Sequence, residues 1–216
     1  MPTLLLRIEG PMQSWGTSSR FTERETGLEP SKSGIIGIIC SAMGRKRDED
    51  VSDLAALKMA VRVDREGQLS KDYHTALDVP RADDSTGGTL VSNRYYLADA
   101  CSLAALEGNR KTLELVESAL KNPVWPLFLG RKSFLPSSPF LLGNGILDSG
   151  IEESLKKTPW LGRGPNMPEK LRAVIETTAS DGVPKADVPI SYQNRTFAQR
   201  FVKTIWIDAA ILPKEA

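Results

Sequence analysis

One stretch near the beginning of the chain, between residues 4 and 44, limits the possible folds more than any other. It starts with an apolar strand pattern from Leu4 to Ile8, breaks at Gly10-Pro11, and ends with an apolar helix pattern from Gly34 to Met43. The loop between them is longer than most connections inside a domain, and such loops usually have a function. It holds aromatic, flexible and cationic residues that suit a flexible polyanion: Trp15, Gly16, Arg20, Arg24, Gly27 and Lys32.

The start of this helix resembles a nucleotide-phosphate loop only superficially. A P-loop needs Gly directly before its Lys and another Gly six positions before that Lys. Here Ser31 precedes Lys32, and Gly27 lies one position too close, so the pattern argues against NTP hydrolysis. Ser33 is predicted to cap the helix, and the amides of Ser33 and Gly34 could hold a phosphate beside Lys32. The alternative is a simple cap beside a solvated lysine.

The order of the predicted elements indicates an α+β protein with a ferredoxin-like, or RRM-like, domain. After the first strand and helix, the sequence predicts a helix at 53–58, strands at 59–64, 69–77 and 94–106, and a helix at 111–121. This is the order of a split βαβ fold. We therefore place this domain at residues 1–122. Residues 78–88 are polar and glycine-rich, which predicts an exposed loop or the tip of a projecting β-hairpin.

The pattern becomes irregular after residue 122. Short strands around 128 and 141, a helical turn at 152–157, and strands at 170–177 and 201–209 are predicted. We expect residues 123–216 to form a smaller β-rich part that packs on the first domain. A length of 216 residues suits this division, since about 100 to 200 residues make a typical domain.

Charge is informative only in local clusters, because the formal net charge of the chain is +1. Arg131-Lys132 forms one cluster, and Arg94 stands beside Tyr95-Tyr96. Residues 192–203 contain Arg195 and further cations among aromatic residues, without an acidic residue. Cations that pair with phosphates and rings that stack on bases are typical of single-stranded RNA recognition. A solvated face beside core aromatics is the alternative for each cluster.

Catalytic chemistry has one candidate group, which consists of Lys71, Tyr73 and His74. Such groups can cleave RNA without a metal by moving protons at the 2′-hydroxyl. Strand alternation argues against this, because Tyr73 and His74 would face opposite sides. One histidine and two distant cysteines form no spaced metal motif, and no cofactor motif is present, so no metal or cofactor is expected.

The remaining features of the sequence favour a cytoplasmic protein. Cys40 and Cys101 lie in apolar segments and are predicted to be buried, reduced thiols. No run of about 18 apolar residues predicts a membrane span. No signal-peptide pattern is visible at the first residues.

Several segments, in the same order along nearly the whole chain, resemble the CasD family. They are LLLRIEGPMQSWG, RFTERETGLEPSKSGIIGIICSAMGRKR, DYHTA, PLFLGRKSFLPSSPF and RTFAQRFV. CasD is a subunit of Cascade, the type I-E CRISPR surveillance complex. The resemblance implies an RRM-like domain, a projecting β-hairpin thumb and a β-rich C-terminal part. It also implies a non-catalytic subunit that binds the 5′ handle of crRNA and caps the filament of CasC backbone subunits.

The resemblance further implies contacts with the large subunit CasA, and with target DNA only within the assembled complex. It places the thumb at about residues 72–92. The RNA-binding residues expected from the residue patterns and the resemblance together are Gln13, Trp15, Gly16, Arg20, Arg24, Lys32, Ser33, Gly34, Arg94, Arg131, Lys132 and Arg195. The alternative function is a metal-independent endoribonuclease that uses His74, Tyr73 and Lys71. A third possibility is a scaffold whose neighbours make the RNA contacts.

Overall fold

The computed structural model describes residues 1–16, 22–80, 87–163 and 167–213, which form eleven strands and four α-helices. The strands are β1 (Thr3–Glu9), β2 (Met12–Gln13), β3 (Glu23–Arg24), β4 (Lys58–Arg65), β5 (Gln68–Val79), β6 (Gly88–Ala98), β7 (Cys101–Glu107), β8 (Leu141–Leu147), β9 (Lys170–Thr177), β10 (Val183–Ser191) and β11 (Thr196–Asp208). The helices are α1 (Lys32–Met43), α2 (Ser52–Ala55), α3 (Arg110–Lys121) and α4 (Ile151–Lys157), and a 3-10 turn at Ala209–Ile211 follows β11.

The predicted ferredoxin-like core is confirmed. Strands β4, β7, β1 and β8 lie side by side in that order, and every neighbouring pair is antiparallel. Helix α1 follows β1, α3 follows β7, and the two helices pack together on one face of the sheet. This is the split βαβ arrangement that the order of elements predicts.

The same sheet continues beyond β4 through β9, β11 and β10, giving seven strands in the order β10-β11-β9-β4-β7-β1-β8. The sequence predicts β9 with its observed bounds but does not predict β10. The strand expected around residue 128 is a loop. Strands from both sides of residue 122 share this sheet, so the proposed domain boundary stays a prediction.

A second sheet contains the projecting hairpin. Strands β5 and β6 pair antiparallel from Gln68↔Ala98 to Val79↔Gly88, with one irregularity near the tip. The short strands β2 and β3 pair with the other edge of β6. The predicted thumb segment, 72–92, falls within this hairpin, although residues 81–86 lie outside the described part of the chain.

Alternation along the central strands creates two cores on opposite faces of the large sheet. In β1, Leu4, Leu6 and Ile8 pack against α1 and α3, whereas Leu5 packs against α4 on the other face. Burial of these side chains stabilises the layers through the hydrophobic effect, at about 1.5–3 kcal/mol for each large side chain.

Both cysteines are buried and unpaired, as the sequence predicts. Burial raises the pKa of Cys40 to about 11 and that of Cys101 to about 12. We expect both native thiols to react with iodoacetamide at pH 8 at least about 100-fold more slowly than in the urea-unfolded chain, because the thiolate is the reactive form. Mass spectrometry of alkylated protein measures this rate, and labelling of either thiol at the unfolded rate would contradict the burial.

Candidate nucleic-acid interface

Gln13 and Trp15 lie in the protein core, so their side chains leave no surface for the RNA contact that the sequence predicts. The Gln13 side chain has no exposed surface: its Nε2 donates to the Ala100 carbonyl at 2.7 Å, and its Oε1 accepts from Trp15 Nε1 at 3.2 Å. The Trp15 ring is only 1% exposed and packs under the start of α1, where a Cβ on Gly34 would lie 2.8 Å from it. The loop therefore uses its aromatic residue to hold α1 in place.

Protein groups occupy the N-terminus of α1, where the sequence predicts a phosphate beside Lys32 and Ser33. The N-cap is Ser31 rather than Ser33, and its Oγ accepts a hydrogen bond from the Gly34 amide at 3.2 Å. The Lys32 amide donates to Oδ2 of Asp187, 155 residues further along the chain, at 2.9 Å. A carboxylate thus takes the place at the helix end that a phosphate would take.

The Lys32 side chain is buried as well, at 2% exposure, and its Nζ lies 3.3 Å from the Glu176 carboxylate. Arg200 completes this group, since its Nε donates to Asp187 Oδ1 at 2.6 Å. Burial lowers the pKa of the Lys32 ammonium, and the charge of Glu176 opposes that shift. Lys32 therefore joins α1 to β9, β10 and β11 instead of facing solvent or RNA.

Ser33 and Gly34 line a groove of about 1050 Å³, which we call the groove throughout. Three parts of the chain form its walls: α1 with residues 45–47, the segment 125–132, and the region from the β10–β11 turn to Phe197. Segments this far apart in sequence meet only because α1 packs against the sheet.

Cations line the groove, and no acidic side chain of the described residues does. The cations are Arg45, Lys46, Arg47, Lys132 and Arg195. Arg45 is neutralised by Asp53, with 2.6 Å between Nη1 and Oδ1. The other four are exposed and form no ion pair within the part of the chain that the structure describes. The groove is therefore positively charged although the chain as a whole is almost neutral.

Aromatic rings line the groove together with these cations. They belong to Trp125, Phe128, Tyr192 and Phe197. Trp125 is 41% exposed and Phe197 is 40% exposed, so both present ring surface to solvent. Exposed rings beside cations can stack on unpaired bases while the cations bind the phosphates, at about 1–3 kcal/mol for each stacked base.

A second basic site lies where the hairpin meets the rest of the protein, and we call it the arginine cluster: Arg24, Arg94 and Arg131. Arg24 stands opposite Arg94 in the β3–β6 pairing, and Arg131 Nη2 donates to the Tyr95 carbonyl at 2.8 Å. Burial, and then the charges of Arg94 and Arg24, lower the pKa of Arg131, while Asp72 opposes this. Asp72 stands opposite Arg94 in the β5–β6 pairing, so the cluster sets three guanidinium groups beside one carboxylate and keeps an excess of positive charge.

Residues 131 and 132 connect the two basic sites, since Arg131 belongs to the arginine cluster and the next residue, Lys132, lines the groove. Among the other predicted contacts, Gly16 is exposed but lines neither site, and Arg20 lies outside the described residues. The structure thus brings together Ser33, Gly34, Lys132 and Arg195 in one place, and Arg24, Arg94 and Arg131 in another.

The proposed catalytic group is not assembled on one face. Lys71 pairs with Tyr95, Tyr73 with Asn93, and His74 with Ser92 along β5 and β6. Side chains alternate between the faces of a strand, so Lys71 and Tyr73 share one face and His74 lies on the other. This geometry does not favour joint proton transfer by the three residues.

Sequence reasoning missed Lys46, Arg47, Trp125 and Phe128 as site residues. The cations after α1 were attributable to the helix dipole, and Trp125 stood among prolines with no recognisable pattern. The available signal was that residues 124–132, like 192–203, combine rings and cations without acids. Lys46 and Arg47 lack this signal, because acidic residues occupy positions 48–50.

No three His, Cys, Asp or Glu side chains of the described residues lie close enough together to hold a metal ion. No described helix is long and apolar enough to cross a membrane.

The ferredoxin-like core, the projecting hairpin and the groove lined by cations and rings define the class of α+β protein to which this chain belongs. Comparison with known families gives a more specific answer. The model of the family CRISPR-associated protein (Cas_Cas5) matches residues 3–203. The chain therefore belongs to the Cas5 family.

Individual relatives agree with this assignment. The CRISPR system Cascade subunit CasD of Escherichia coli (strain K12) is 34% identical over 159 residues, which cover 65% of this chain and 70% of that protein. A crystal structure of a Cas protein is 42% identical and superposes with a TM-score of 0.82 over 99% of this chain and 98% of that one. A chain of a CRISPR RNA-guided surveillance complex is 30% identical, with a TM-score of 0.84 over 97% and 92% of the two chains.

Proposed function

We propose that this protein is a non-catalytic, RNA-binding subunit of a type I-E CRISPR surveillance complex in the cytoplasm. It holds the 5′ handle of crRNA and caps one end of the backbone filament, in contact with the backbone subunit CasC and the large subunit CasA. Target DNA meets the protein only within the assembled complex.

The observation that carries this proposal is the groove, in which exposed cations and rings lie together without a described acidic residue. The relatives support the same role, because one is named as a Cascade subunit and another is part of an RNA-guided surveillance complex. Lys46, Arg47 and Lys132 would bind phosphates, while Trp125 and Phe197 would stack on bases. The arginine cluster would bind the strand where it passes the base of the hairpin.

The double variant Arg47→Ala, Lys132→Ala tests the groove. We expect the dissociation constant for single-stranded handle RNA, measured by fluorescence anisotropy at moderate salt, to rise about 100-fold, because each lost cation–phosphate contact costs about tenfold. The slope of log K against log salt should become shallower by about 1.4, or about 0.7 for each lost phosphate contact.

Lys111→Ala is the matched control, since Lys111 is an exposed lysine on α3 that does not line the groove. Equal affinities of the double variant, the control and the wild type would refute the assignment of RNA to the groove. Cleavage of CRISPR repeat RNA in EDTA that is lost in His74→Ala would refute the non-catalytic role.

A further inference from the structure

The backbone of Arg195 is unusual for its residue type. Three non-glycine residues among the described ones have positive φ angles: Asp78 at 51°, Asp99 at 55° and Arg195 at 52°. Aspartate tolerates this left-handed conformation because its short side chain can hydrogen-bond locally. Arginine has no such compensation, and positions that keep such strain cluster at functional sites.

The type of turn explains where the strain lies. Strand β10 ends at Ser191 and β11 begins at Thr196. These two residues are paired, so the four residues 192–195 connect the strands. Three-residue hairpin loops place the residue after a type I turn in the left-handed region, where glycine is favoured, and Arg195 has this conformation at the last position of the present, longer loop. Asn194, which would tolerate that conformation, stands one position earlier. The turn therefore carries an arginine where the backbone favours a glycine.

Hydrogen bonds fix this turn on α1 at two points. The Tyr192 hydroxyl donates to the Ser33 carbonyl at 2.6 Å, near the start of the helix. The Gln193 amide donates to the Arg47 carbonyl at 3.1 Å, just beyond the end of the helix. Burial raises the pKa of the Tyr192 phenol, so this hydroxyl remains a neutral donor.

The strained residue presents its side chain at the groove. Arg195 is exposed, lines the groove, and forms no hydrogen bond or ion pair with the rest of the described chain. The turn backbone is fixed, so it carries a guanidinium without a protein partner to the groove, and the planar fork of that group fits phosphate oxygens.

We propose that the β10–β11 turn is a preformed phosphodiester clamp, in which the strained Arg195 binds an RNA phosphate and Tyr192 is its positioning residue. This inference rests on the proposed function, since it requires RNA in the groove. It adds that the backbone of the turn is held before RNA arrives, so that binding has to order only the Arg195 side chain and not the loop that carries it.

Two substitutions of Arg195 separate the effect of backbone strain on stability from the effect of the guanidinium charge on RNA affinity. Arg195→Ala and Arg195→Gly should both weaken binding of single-stranded RNA about tenfold for every sequence tested, with a salt slope shallower by about 0.7. Only Arg195→Gly removes the strain, so only this variant should raise the melting temperature, by roughly 2–4 °C. Asp99→Gly is the control, because aspartate already tolerates this conformation, so this variant should raise the melting temperature less than Arg195→Gly does and leave RNA affinity unchanged.

A double-mutant cycle tests the positioning role. Tyr192→Phe keeps the ring but removes the bond to Ser33, so it should weaken RNA binding roughly two- to tenfold when Arg195 is present. In the Arg195→Ala background the same change should have no effect. Equal effects of Tyr192→Phe in both backgrounds would overturn the clamp.

The groove double variant distinguishes failure of the clamp from failure of the proposed function. RNA binding that depends on Arg47 and Lys132 but not on Arg195 would refute the clamp and leave the proposed function standing. Wild-type protein that binds no RNA would refute both.

Discussion

Replacement of Arg62 by alanine is expected to lower the free energy of unfolding by about 3–5 kcal/mol, the usual cost of removing one partner of a buried ion pair. Arg62 has no exposed surface and lies within β4, where its Nε donates to Asp64 Oδ1 at 2.7 Å. Its Nη1 donates to the carbonyls of Leu155 and Thr158, so it also holds the end of α4 against the sheet. Alanine would leave these acceptors and the Asp64 carboxylate buried without their donor.

Urea denaturation followed by circular dichroism measures the effect. Arg45→Ala is the control, because Arg45 forms a two-bond ion pair with Asp53 that is partly exposed, and such pairs contribute about 0.2–1 kcal/mol. The double variant Arg62→Met, Asp64→Leu should recover much of the loss, since apolar replacement of both partners removes the unpaired charge. If Arg62→Ala lowered the free energy of unfolding no more than Arg45→Ala does, the conclusion that the buried ion pair holds α4 against the sheet would be refuted.

The central elements could be predicted because their signals are local. Alternating apolar residues in 170–177 set both bounds of β9, and the spacing of Leu113, Val116 and Leu120 set the helix that became α3. The order of these elements then sufficed for the ferredoxin-like core. Strand β10 was missed because Pro184 and Pro189 lie within it, and prolines occur in strands mainly at sheet edges, where β10 lies.

The errors at the site share one cause, which is that the partners are distant in sequence. Lys32 reads as a solvated cation beside a cap until Asp187 and Glu176 come from the other end of the chain to bury it. Trp15 reads as a loop aromatic that could stack on a base, but Gln13 and Gly34 hold it in the core. The sequence shows that cations and aromatic rings suited to RNA binding are present. Which of them face solvent depends on contacts between distant segments, and only the fold reveals these contacts.

Gly130 also depends on a residue that is distant in sequence, because its backbone packs tightly against Ser14. Among the glycines, we expect substitution of Gly130 to weaken RNA binding most. Its φ is +91°, and a Cβ there would lie 1.8 Å from the Ser14 carbonyl oxygen. The tight approach lets the loop turn so that Arg131 reaches the arginine cluster and Lys132 reaches the groove. Alanine at 130 must therefore displace the backbone that places both cations.

We expect Gly130→Ala to lower the free energy of unfolding by at least about 2 kcal/mol, from backbone strain and the displaced loop. It should also weaken handle-RNA binding by at least about tenfold, because two phosphate contacts move together. Gly143→Ala is the matched control, since Gly143 does not line the groove and a Cβ there meets no atom of the described residues within 4 Å, so it should change neither quantity. Fluorescence anisotropy is measured at a temperature where circular dichroism shows the variant to be folded. This separates the loss of RNA affinity from the loss of stability. Normal RNA affinity in folded Gly130→Ala would mean that the position of the 129–132 loop does not set the site.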